Sequence, residues 1–194
     1  MSKGEETKRA IVDQALELVS TVGLEKLTIG ALANATGMSK SGLFAHFKSK
    51  EQLQLQVLEE ARQRYIEVVV TPAFNKPRGE ARLRALFELT LKDWEESLPG
   101  GCIFHAVAAE LDDQPGPARD YLVAVLRDQR DMFARSAQMA IDTGEFRKDL
   151  DIDQFVFELS SITGAHPHFG RLLGDPNSEK HARKAFEALL ERAH

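Results

Sequence analysis

The chain of 194 residues has a single cysteine, Cys102, so it forms no internal disulfide and suits a reducing compartment. It has no uncharged apolar run long enough for a membrane helix, and no apolar segment follows the charged opening MSKGEETKRA, so neither a membrane span nor a signal peptide is expected. A cytoplasmic protein without membrane partners is the expectation. Period-two alternation and internal repeats are both missing, which leaves no candidate strand. There is no G-x-S-x-G elbow and no glycine-rich phosphate loop, so no catalytic residue and no cofactor is assigned and an enzyme is not expected. Cys102-Ile103-Phe104-His105 sets a thiol and an imidazole three apart, with His166 and His168 further on, but zinc sites need three or four well-spaced ligands. No metal is expected. Nor is there an excess of positive charge: the formal net charge is −5, which excludes a surface that attracts nucleic acid everywhere.

What is present is helical periodicity, densest between Thr28 and Lys50: TIGALANATGMSKSGLFAHFKSK. Thr28 is a good N-cap, and Ile29, Leu32 and Ala33 follow with helical spacing until Gly37 ends the segment. Ser39 caps a second helix two residues later, with Leu43, Phe44 and Phe47 as its apolar positions. Two short helices about a tight turn make a helix-turn-helix, whose second helix enters the DNA major groove. Lys40, Ser41, Gly42 and His46 are the candidates for the groove; Thr28, Ser39, Lys48 and Lys50 are those for phosphates. Leu43 and Phe47 pack the reader from behind. Residues 1 to 64 hold nine Lys/Arg and eight Asp/Glu, so the remainder, with 16 against 22, carries the acidity. A protein contact made by the same helix-turn-helix is the alternative use of this surface, and a metal-binding or enzymatic helical protein ranks below it.

LTIGALANATGMSKSGLFAHFKSKEQL resembles the DNA-binding segment of the TetR (tetracycline repressor) family, in its Thr, small-residue turn, Ser-x-x-x-Leu-aromatic-x-x-Phe and Ser-Lys-Glu run. Where many members have Gly-Thr or Gly-Ala, this chain has Ser41-Gly42; Phe44 stands where Tyr is frequent, and Ala31 leaves the Thr28 cap single. Gly42 costs roughly 1 kcal/mol of helix propensity relative to Ala, which points to close approach by another backbone or by DNA. The resemblance implies an operator-binding regulator, a repressor in its commonest form, that responds to a small-molecule effector and pairs its terminal helices in a homodimer.

The rest of the chain reads as helix throughout. The fold expected is all-α: an N-terminal three-helix helix-turn-helix domain over 1–48, joined by a long fourth helix to a helical effector-binding and dimerisation domain over 49–194. Glu5 to Val22 forms the first helix, and Ser49-Lys50-Glu51-Gln52 is a capping box for the fourth, running toward Val70 before Thr71-Pro72 breaks it. A helix from about Ala118 to Thr143 is expected to turn Leu122, Val125, Leu126 and Phe133 inward. Phe87, Thr90, Trp94, Cys102, Phe104, His105, Met132 and Phe133 mix aromatics, sulfur and polar tips, a composition suited to an apolar ligand pocket. Asp175-Pro176 is read as the cap and first position of the last helix. Phe155, Leu159, Ile162, His166, Phe186, Leu189 and Leu190, on the two terminal helices, are the dimer-interface candidates. A dimer also meets the geometry of a helix-turn-helix, whose two copies span half-sites roughly 34–36 Å apart.

Overall fold

The computed structural model describes residues 3–194; Met1 and Ser2, which open the charged N-terminal stretch, lie outside the described residues. Among the described residues every regular element is helical: α1 (Lys3–Val22), α2 (Ile29–Thr36), α3 (Lys40–Phe44), α4 (Lys50–Tyr65), α5 (Thr71–Phe74), α6 (Glu80–Glu96), α7 (Ile103–Leu111), α8 (Pro117–Asp142), α9 (Ile152–Pro167) and α10 (Ser178–Ala193). None of them is long and apolar enough to cross a membrane. The chain separates into two compact units, one of residues 1–65 with 96–126, the other of 66–95 with 127–194. Within the first unit α4 packs along α1.

In the first unit, α1, α2, α3 and α4 close over Leu16, Leu32, Leu43, Phe47 and Leu53, all fully buried. Sequence sets each boundary here. The Thr28 hydroxyl accepts from the Ala31 amide at 3.0 Å, Gly37 ends α2 in the left-handed region at φ +68, and the Ser39 hydroxyl accepts from the Gly42 amide at 3.1 Å. Ser49 caps α4 through the Gln52 amide. The returning bond reaches one residue further back than a standard box: the Gln52 side chain accepts from the Lys48 amide at 2.9 Å.

Pro72 does not break the helix that α4 begins. A π-helical turn at Ile66–Val70 intervenes, and helix resumes through Phe74 with the proline in its first turn, where a missing amide donor costs nothing. The stop comes at Asn75–Gly79. There the buried Arg82 guanidinium lies 4.5 Å over the Phe74 ring and donates to the carbonyls of Phe74 and Lys76, tying the turn to α6.

The second unit is built round aromatic pairs. Phe87 of α6 stacks on Phe186 of α10 with centroids 4.0 Å apart, and Phe146 meets Phe155 of α9 at 5.7 Å. Asp151 caps α9 through the Gln154 amide. Pro167 closes α9, and a π-helical turn over His168–Leu172 follows. Two expectations need correction. Leu126 is exposed, on the outer side of α8. Asp175-Pro176 lies before α10: its carboxylate accepts from the Asn177 amide in a turn, and the helix begins at Ser178.

Candidate nucleic-acid interface

Between Thr28 and Lys50 there are three lysines and no carboxylate, in a chain whose formal net charge is −5. Thr28, Ser39, Lys40, Ser41 and Lys48 are exposed, while Gly42, His46 and Lys50 are half-buried. Leu43 and Phe47 are fully buried behind them, so α3 has a fixed seat. Although α3 ends at Phe44, Phe47 still donates to the Leu43 carbonyl at 3.0 Å, which carries helical geometry to His46. The Ser39 and Ser41 hydroxyls lie 3.1 Å apart.

Three details differ from the sequence reading. Phe44, read as one of the apolar positions of the second helix, is 55% exposed. The Lys50 ammonium is engaged within the chain, donating to the Glu25 carbonyl at 2.7 Å with the Glu25 carboxylate at 3.6 Å. At Gly42 a Cβ would meet the Ser39 hydroxyl at 3.2 Å and the Met38 methyl at 3.7 Å, so among the described residues no backbone from another element requires the glycine.

The eight pocket candidates fall into both compact units. Cys102, Phe104 and His105 belong to the first, with His105 exposed; Phe87, Thr90, Trp94, Met132 and Phe133 belong to the second, where Phe87, Thr90 and Phe133 are core. The interface candidates divide between the protomer's own core and a cavity. Phe155, Leu159, Phe186, Leu189 and Leu190 are buried within the protomer, where α9 and α10 pack on each other. The apolar surface of this end comprises Phe157, Phe169, Leu172 and Leu173, with Leu172 72% exposed. Ile162 and His166 instead line a cavity of about 340 Å³ in the second unit, shared with Ser161, Ala165, Phe169, Ser178, His181, Ala182 and Ala185. His166 is buried there, its Nδ1 3.2 Å from the Ser178 hydroxyl and its Nε2 3.2 Å from the Glu95 carboxylate. Among the described residues no three His, Cys, Asp or Glu side chains converge as a metal site would require.

A family model for the C-terminal domain of tetracycline-repressor-like proteins matches residues 79–186, and one for bacterial regulatory proteins of the tetR family matches residues 11–57. The HTH-type transcriptional repressor KstR2 of Mycolicibacterium smegmatis is 28% identical over 152 residues, 73% of this chain and 70% of that protein. A TetR transcriptional regulator from Chloroflexus aurantiacus J-10-FL superposes with a TM-score of 0.87 at 26% identity, over 98% of this chain and 96% of that one. AibR, solved with isovaleryl coenzyme A and operator DNA, gives a TM-score of 0.77 at 21% identity, over 96% and 99% of the two chains. With one model covering more than half of the sequence and another covering its helix-turn-helix, this chain belongs to the TetR family and is a DNA-binding transcriptional regulator, not an enzyme.

Proposed function

We propose that the protein is a homodimeric repressor that holds a pseudo-palindromic operator through residues 28–50 and releases it when a small molecule binds the helical part beyond residue 48. The observation that carries this reading is the acid-free, doubly capped stretch on a buried platform, set in an otherwise acidic chain. Lys40, Ser41, Gly42 and His46 face base edges; Thr28, Ser39 and Lys48 meet phosphates. Lys50 already donates to the Glu25 carbonyl, so a phosphate would share its ammonium with that contact. Repression as the sign is supported by the KstR2 likeness, and a small-molecule effector by AibR, which was captured with one. A coupling of roughly 1–3 kcal/mol between effector and operator changes affinity about 5- to 150-fold. The exposed Phe157, Phe169, Leu172 and Leu173 support a second copy as the cover of that end.

The test is selection of genomic fragments by the purified protein at about 0.15 M salt, with Lys40→Ala beside it. Enrichment of a short pseudo-palindrome, lost in the variant, is the expected result; equal retention by both proteins would overturn the assignment of α3 as the reader. Replacing Leu172 and Leu173 by Asp is expected to yield monomers in sedimentation and to abolish operator binding, and a surviving dimer would move the interface elsewhere.

A further inference from the structure

Leu24 and Glu25 lie between α1 and α2, outside any helix, yet all four of their backbone polar groups are held by side chains of other helices. Through one oxygen, Glu110 of α7 accepts from both amides, at 2.8 Å from Leu24 and 3.1 Å from Glu25. Gln54 of α4 donates to the Leu24 carbonyl at 3.0 Å and Lys50 to the Glu25 carbonyl at 2.7 Å. Leu24 is fully buried, so its amide has no ready substitute in water. Gly23, just before it, has φ +90, and a Cβ there would fall 1.8 Å from the other Glu110 oxygen. The carboxylate occupies the space that a side chain would take. Before the other end of α7, the Gly100 amide donates to the Ser20 hydroxyl at 3.0 Å, and a Cβ on Gly100 would lie 1.6 Å from the Ser20 carbonyl oxygen. The last turn of α1 and the corner after it are thus gripped at both ends of α7.

We propose that Glu110 is a positioning residue for operator binding. Its carboxylate is a clasp that fixes the corner at 23–25, and with it the direction in which the chain enters α2 and presents α3. The proposal rests on residues 28–50 being the operator-contacting stretch. Its sign separates it from a charge effect. Removing an acid from a DNA-binding unit strengthens DNA binding by electrostatics alone, whereas loss of the clasp weakens it.

Hydrogen exchange of the 23–27 segment and affinity for a genomically selected operator, both measured on Glu110→Ala and Glu110→Gln, provide the test. In Glu110→Ala, exchange at Leu24 and Glu25 is expected to accelerate about tenfold and operator affinity to fall about tenfold, with helical content kept. Glu110→Gln retains an acceptor oxygen and falls between the variant and the wild type. It also decides the matter should the alanine variant fail to fold. Unchanged exchange, or operator affinity equal to or above the wild type, overturns the proposal. A wild-type protein that retains no DNA overturns the operator reading beneath it, while wild-type retention matched by Glu110→Ala overturns the clasp alone.

Discussion

Replacing Ser39 by Ala tests whether α3 reads DNA as an ordered helix. The helix has five residues, and its first turn depends on the Ser39 carbonyl, which accepts from Leu43 at 3.1 Å, and on the Ser39 hydroxyl, which accepts from Gly42 at 3.1 Å. Losing a serine cap costs typically about 1 kcal/mol. Because a dimer on a pseudo-palindrome must order two uncapped readers on the DNA, operator binding loses up to about 2 kcal/mol, roughly 30-fold in affinity. No charge changes, and the slope of log affinity against log salt stays as in the wild type. Lys48→Ala gives the opposite pattern: it removes one exposed cation per half-site, which lowers the slope by about 0.9 for each, or about 1.8 for the dimer. Fluorescence anisotropy titrations on a selected operator between about 50 and 200 mM salt read both quantities. Affinity of Ser39→Ala within about threefold of the wild type, or a slope altered as much as in Lys48→Ala, would refute the reasoning.

Gly42→Ala is expected to raise thermal stability by up to about 1 kcal/mol, less what the Ser39 hydroxyl at 3.2 Å takes back, while weakening operator binding; unchanged or tighter binding would remove Gly42 from the groove-facing set. Phe186→Ala deletes a fully buried ring stacked at 4.0 Å on Phe87, and chemical denaturation should show a loss of roughly 3–5 kcal/mol; a loss below about 1 kcal/mol would mean that the site refills. Burial disfavours the Glu80 carboxylate, but hydrogen bonds from His194 and Arg84 outweigh this and hold its pKa below the ordinary 4.5. A depressed folded pKa gives stability that is present above the ordinary value and lost as pH falls through the lower one. Glu80→Gln should therefore flatten the acid side of the stability curve below about pH 4.5, and parallel curves for the two proteins would contradict the ion pairing.

What was legible in the sequence is what acts within three or four residues. Thr28, Ser39, Ser49 and Asp151 cap helices because a side-chain oxygen meets an amide three positions on, and Gly37 stops α2 because only glycine enters the left-handed region without strain. The same locality explains the failures. Glu110 is 86 residues from the amide it holds, so no spacing rule finds it. Pro72 looked like a stop because a proline removes an amide, and the π-helical turn that accommodates it leaves no mark in composition. Apolar periodicity shows that a face is covered, but not by what. Phe155, Leu159, Phe186 and Leu189 keep the inward period of their helices, and α9 and α10 cover them with each other. The apolar surplus still has to appear somewhere, and it appears at Phe157, which breaks the α9 stripe, and at Phe169, Leu172 and Leu173 in and just after the π-helical turn. For a helical pair that satisfies itself, partner-facing residues are better sought among large side chains that interrupt the inward period than among those that keep it.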